Sequence, residues 1–161
     1  MQGVMGVANM QRTLNYIRTL AEFVSQDQYK NVVPMFSILN EPDSQSTGLD
    51  NLRAFYLEAY HVIRGITGVG AGKGPLIAFS DRQGGAEWAG FLKGADRIAM
   101  DAHPYIIFQD PQANSHASSA SQACANNAVT FNSTKTNFGI YIAGEWSLAG
   151  MSLHCGCSSM S

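Results

Sequence analysis

A chain of 161 residues, 45% hydrophobic and 14% charged, can bury one globular core and is too apolar to stay disordered. Its net charge is −2 and its Lys and Arg residues are scattered, so no basic patch points to nucleic acid or to an anionic membrane surface. The longest apolar run, Val32 to Leu39, is far shorter than the ~20 residues that span a bilayer, and Met1 to Gly6 lacks the charged and hydrophobic regions of a secretory signal.

Met10, Leu14, Ile17, Ala21 and Val24 recur every three or four residues, which predicts an amphipathic helix over about Met10 to Gln26. Val32 to Leu39 reads as a strand buried on both faces, and Asp43 to Gly48 as a polar loop. Leu52, Phe55, Ala59, Ile63 and Ile66 mark a second helix closed by Gly68. A glycine-rich turn leads to a second strand over Pro75 to Ser80, and Trp88 to Leu92 reads as the start of a short helix. Arg97 to Ala102 is a third strand, Gln109 to about Thr136 a long polar loop, and Phe138 to Ala143 a fourth strand. Strands alternating with helices mean parallel strands joined by crossovers, and apolar strands mean a sheet covered on both faces. The glycine-rich turn is not a phosphate loop: it follows a helix, precedes a strand, and has no Ser or Thr after Lys73.

Chemically capable residues gather where the strands end, the place where parallel α/β folds put their ligands. Glu41 sits in Leu39-Asn40-Glu41-Pro42, and Pro42 cannot continue a ladder. Glu145 sits in Gly144-Glu145-Trp146-Ser147, where Gly144 permits close approach and Trp146 offers an apolar wall. Either glutamate alone reads as a surface turn residue. Two carboxylates on neighbouring strand ends are what glycosidic cleavage needs, one to give a proton and one to attack. Asp101, His103 and Tyr105 share parity on the third strand and so share a face. Trp88 and Phe108, each after a strand, are candidate stacking surfaces for a sugar. His154, Cys155 and Cys157 lack a partner set for zinc, and Ser147 lacks one for a serine triad. Cys124 could pair with Cys155 or Cys157 in an oxidising compartment, and Asn132-Ser133-Thr134 fits a glycosylation acceptor.

In this order, the Asn-Glu-Pro, His103-Pro104-Tyr105 and Gly-Glu-Trp-Ser strings resemble the fungal exo-β-1,3-glucanases of glycoside hydrolase family 5, over about Gln2 to Ala149. The resemblance implies a (β/α)8 TIM-barrel glycosidase, of which this chain looks like a fragment covering about strands 4 to 7. Residues 1–149 would be a partial catalytic domain and residues 150–161 a divergent tail. It implies Glu41 as proton donor, Glu145 as nucleophile, and Asn40 as a hydrogen-bond partner of the sugar 2-hydroxyl. His103 and Tyr105 would support the carboxylates, Phe108 would clamp the sugar, and Trp88 would occupy the matching region after strand five. It further implies a β-glucan substrate cut from the non-reducing end, no cofactor, no metal, and an extracellular or cell-wall location. The alternatives are an endo-acting β-glucanase of the same fold and a non-catalytic glucan-binding protein. A barrel takes about 250 residues, so the chain by itself is expected to have little hydrolytic activity.

Overall fold

The computed structural model describes residues 6–81, 86–106, 120, 121 and 123–146. Helix α1, Gly6–Val24, buries Leu14, Ile17 and Ala21, the stripe that the periodicity predicts. It begins ahead of Met10 and stops short of Gln26. Strand β1 is only Met35–Ser37. The predicted strand over Val32 to Leu39 is too long because Val32 is exposed and donates its N–H to Tyr29 O at 2.9 Å, inside the turn that follows α1. Pro34 has no N–H for a ladder and contributes only its carbonyl, to Leu76 N at 2.8 Å.

The predicted polar loop after β1 contains a short helix, α2, Ser44–Thr47. Asp43 caps it, accepting from Gln45 N at 3.1 Å and from the Ser46 hydroxyl at 2.6 Å. Helix α3, Leu49–Thr67, ends at Gly68 as expected and buries Leu52, Phe55, Tyr56, Ala59, Tyr60 and Ile63. Strands β2, Leu76–Asp81, β3, Ile98–Ala102, and β4, Ile140–Ala143, follow. Two further differences concern the connections. Trp88 ends a 3-10 turn, Ala86–Trp88, rather than opening a helix. The stretch read as a long loop contains a π-helical turn, Ala123–Asn127, running into helix α4, Ala128–Asn137. No apolar stripe marks α4: Val129 is exposed, and Phe131 supplies its packing, edge-on to Tyr141 at 4.6 Å.

The four strands form one sheet in the order β1-β2-β3-β4, every pair parallel. Each strand lies beside its predecessor in the chain, with no reversal of the kind that defines an open doubly wound sheet. The fold is therefore α/β with a parallel sheet wound in one direction, a pattern compatible with part of a barrel. Phe36, Ile77, Phe79, Ile98, Met100 and Tyr141 pack with the stripes of α1 and α3 into one core. By strand alternation Ser37, Ala78, Ser80, Ala99 and Asp101 face the other way.

Buried Arg64 ties the end of α3 to the starts of two strands. Its guanidinium donates to Pro75 O at 3.1 Å and to Asp96 O and Arg97 O at 3.0 Å each. Burial pulls its pKa down, and nearby Asp96 opposes that pull. Arg64→Met would take this donor from Pro75 O and Asp96 O, while Arg97 O keeps the Ile77 N–H. It is expected to cost about 3 kcal/mol of stability, read as a shift in denaturant midpoint at unchanged slope.

Candidate active site

The carboxyl ends of β1, β3 and β4 converge. Glu41 lies four residues past the end of β1 with a φ of 40°, a left-handed conformation uncommon for glutamate. Its N–H is held by the Ser80 hydroxyl on β2 at 3.1 Å. Past the end of β3 the chain turns, Tyr105 N–H donating to His103 O at 3.0 Å, and side-chain contacts bring Asp101, His103 and Tyr105 to the same cluster. The His103 side chain is 4% exposed. Its Nδ1 lies 2.7 Å from Glu41 Oε1 and 3.6 Å from Glu145 Oε2, and its Nε2 lies 3.8 Å from Asp101 Oδ2. The Tyr105 hydroxyl donates to Glu145 Oε2 at 2.8 Å. That hydrogen bond pushes the phenol pKa up, which keeps Tyr105 a proton-bearing donor.

Gly144 brings β4 into this cluster. Its N–H donates to Ala102 O at 3.1 Å, one step beyond the paired residues. A Cβ at this position would strike the Asp101 carboxyl, so only glycine lets Glu145 approach so near. Gly144→Ala is expected to lower stability by about 2 kcal/mol through that collision, measured by thermal unfolding. Burial raises the Asp101 pKa, with His103 pulling the other way. The folded state thus holds this proton more tightly than the unfolded chain. Stability is untouched below the ordinary carboxylate range and falls as pH climbs through the raised value. Asp101→Asn should accordingly raise the unfolding midpoint at neutral pH and leave it unchanged in strong acid.

One oxygen of Glu41, one oxygen of Glu145 and one ring nitrogen of His103 all lie within 4.8 Å of one another. Among the described residues this is the group able to offer three ligands to a cation, yet two of the three already share a hydrogen bond. Two carboxyl groups at this spacing with an imidazole and a phenol between them can pass a proton on one side and present an anion on the other.

Of the residues singled out by sequence, Glu41 with His103 and Tyr105 with Glu145 form two hydrogen-bonded pairs, brought together by the 3.6 Å approach of His103 Nδ1 to Glu145 Oε2. Asn40 is exposed beside it. Trp88 is not brought in. It is 2% exposed, with Phe91 at 5.2 Å, Tyr56 at 5.6 Å and the Arg53 guanidinium over its ring at 5.9 Å. Its faces are occupied by the core and offer no platform to a sugar. Trp146, read from sequence only as a wall, is 65% exposed and lines a largely apolar cavity of about 1010 Å³ with Pro104, Ile106, Phe131 and Tyr141. Its adjacency to Glu145 is the signal that could have marked it. Cys124 is exposed and free of any disulfide. Phe108, Ser147, His154, Cys155 and Cys157 lie outside the described residues.

No family model matches the chain. It is 30% identical over 156 residues, 92% of its length, to the probable glucan 1,3-beta-glucosidase D of Aspergillus fumigatus. The protein of the same name from Aspergillus terreus is also 30% identical, over 158 residues. The glucan 1,3-beta-glucosidase 2 of Schizosaccharomyces pombe is 36% identical over 110 residues, 66% of this chain. In each case the chain spans only 18% of the relative's own length. The 92% of the chain matched by the Aspergillus fumigatus protein takes in the strands whose ends carry both glutamates, and the chain is thus a homologue of a segment of the fungal glucan 1,3-beta-glucosidases.

Proposed function

We propose that this chain carries the proton-donor and nucleophile strand ends of a retaining (β/α)8 glycoside hydrolase of family 5, acting on β-1,3-glucan from the non-reducing end. The observation that carries the reading is the closeness of Glu41 and Glu145, whose oxygens come within 4.8 Å. Retaining enzymes hold their carboxyl groups about 5–5.5 Å apart, whereas inverting ones leave about 6.5–9.5 Å for a water. The names of the relatives, glucan 1,3-beta-glucosidases, support the substrate class.

In this reading Glu41 gives its proton to the glycosidic oxygen while the Glu145 carboxylate attacks the anomeric carbon. The bond to the leaving sugar breaks, and a glycosyl ester forms on Glu145. Glu41, now a carboxylate, takes a proton from water. The resulting hydroxide character attacks the anomeric carbon, releases glucose and frees Glu145. Tyr105 donates to Glu145 when it is an anion, and buried His103 fixes the orientation of Glu41. Asn40 would reach the 2-hydroxyl, and Phe108 would narrow the mouth of the site, which is the basis for exo action. An extracellular or cell-wall setting belongs to the same proposal.

Proton NMR of the first product tests the stereochemistry, in a complete barrel carrying this segment. The expected result is β-glucose appearing first and mutarotating afterwards, with glucose as the early product from laminarin. Initial release of α-glucose would overturn retention, and early long oligosaccharides would overturn exo action.

A further inference from the structure

We infer that Ser80 is the positioning residue that peels the end of β1 off the sheet and sets Glu41 at its working angle; this rests on the proposed role of Glu41. In a parallel ladder the donations are evenly spaced along the strand. Ile38 N–H donates to Ala78 O at 3.1 Å, so the next donation would run from Asn40 N–H to Ser80 O. That carbonyl instead accepts from the Tyr56 hydroxyl at 3.0 Å. Tyr56 is fully buried on α3, wedged against Phe79 at 4.9 Å and Trp88 at 5.6 Å, so its hydroxyl has little freedom to leave.

The ladder donations end at Ile38, and the end of β1 takes another anchor. The Ser80 side chain supplies it, its hydroxyl receiving the Glu41 N–H one residue later than the ladder would. Glu41 takes up the one-residue slip in its φ of 40°, a conformation that persists only where its surroundings enforce it. Ser80 is 2% exposed, so water does not compete for its hydroxyl. A single buried residue thus engages Tyr56 through its carbonyl, where the next ladder donation would have arrived, and uses its hydroxyl to fix where the carboxyl of Glu41 falls, beside His103 Nδ1. Ser80 touches neither substrate nor reacting atom in this account. It acts through the backbone of Glu41.

The test is steady-state kinetics on an activated aryl β-glucoside and on laminarin, in a complete barrel carrying this segment. Ser80→Ala keeps the carbonyl and deletes the hydroxyl. The expected result is kcat lower by about a hundredfold, the loss that follows a misplacement near 1 Å, with KM within about twofold and the unfolding midpoint nearly unchanged. Ser80→Thr, or Ser80→Cys where the extra methyl is not accepted, returns an acceptor and should recover most of kcat. A wild-type kcat in Ser80→Ala would overturn the inference. So would an equal loss in the alanine and acceptor-bearing variants that tracks lowered stability. Glu41→Gln in parallel separates the two claims: full turnover there sinks the role of Glu41, whereas inactivity there with an undisturbed Ser80→Ala sinks only the role of Ser80.

Discussion

Glu145→Gln in a complete barrel is expected to reduce hydrolysis to background, and Glu41→Gln to reduce it by about a hundredfold to ten-thousandfold, the range that positioned acid–base groups contribute. The two losses differ in kind. An amide at 145 cannot form the ester, so no leaving group rescues it. Loss of the carboxyl at 41 removes a proton, and a substrate whose leaving group needs none should still form the intermediate. Azide should then enter from the side vacated in Glu41→Ala and yield a β-glucosyl azide. In Glu145→Ala it would replace the nucleophile and yield the α product. Product configuration therefore assigns each carboxylate a side, which rate loss alone does not. Wild-type rates in either amide variant would remove that glutamate from the chemistry.

The second large effect concerns residues 1–161 expressed alone. They are expected to aggregate or fold loosely and to hydrolyse laminarin poorly. Among the described strands β1 and β4 each have one neighbour, so each leaves a row of backbone groups unpaired. Met35 on β1 is 41% exposed and Ile140 on β4 is 51% exposed, so the open edges are also apolar. The proposed (β/α)8 barrel closes with eight strands, and in the open sheet no described strand flanks Glu41 or Glu145 on its outer side. Size exclusion, near-UV dichroism and a glucose-release assay measure the outcome. A monodisperse, cooperatively folded monomer with turnover in the normal enzymatic range would show that these four strands are enough.

What sequence could reveal followed the strength of the local signal. Helices α1 and α3 were legible because Leu14, Ile17 and Ala21, and again Leu52, Phe55, Ala59 and Ile63, repeat at helical spacing and are buried. The strands were legible to within a few residues, except where Val32 and Val33 made a turn resemble a strand. Helix α4 was not, since its Ser, Thr and Asn residues show no stripe, and α2 was hidden in a polar stretch whose only sign was Asp43 at its cap. Parity alone put Asp101, His103 and Tyr105 on one side. Parity could not say that His103 would meet Glu41 from another strand end, because that depends on how β1 leaves the sheet. The same non-local cause hid Ser80, a small residue whose importance lies where the ladder ends. Trp88 misled for the opposite reason: an aromatic after a strand looks alike in sequence whether it faces a ligand or, as here, Tyr56 and Phe91.

In the proposed mechanism Glu145 bonds covalently to the sugar while Glu41 moves the proton. An activated 2-deoxy-2-fluoro-β-glucoside tests it, because the fluorine slows both formation and breakdown of the glycosyl ester while the good leaving group restores formation alone, so the ester accumulates. The complete barrel carrying this segment would be incubated with that compound, digested and read by mass spectrometry. The expected result is one fluoroglucosyl adduct, on the peptide containing Gly144-Glu145-Trp146 and on Glu145 itself, with activity lost in step with labelling. An adduct on Glu41, or a protein that turns over glucan with no adduct at all, would contradict it.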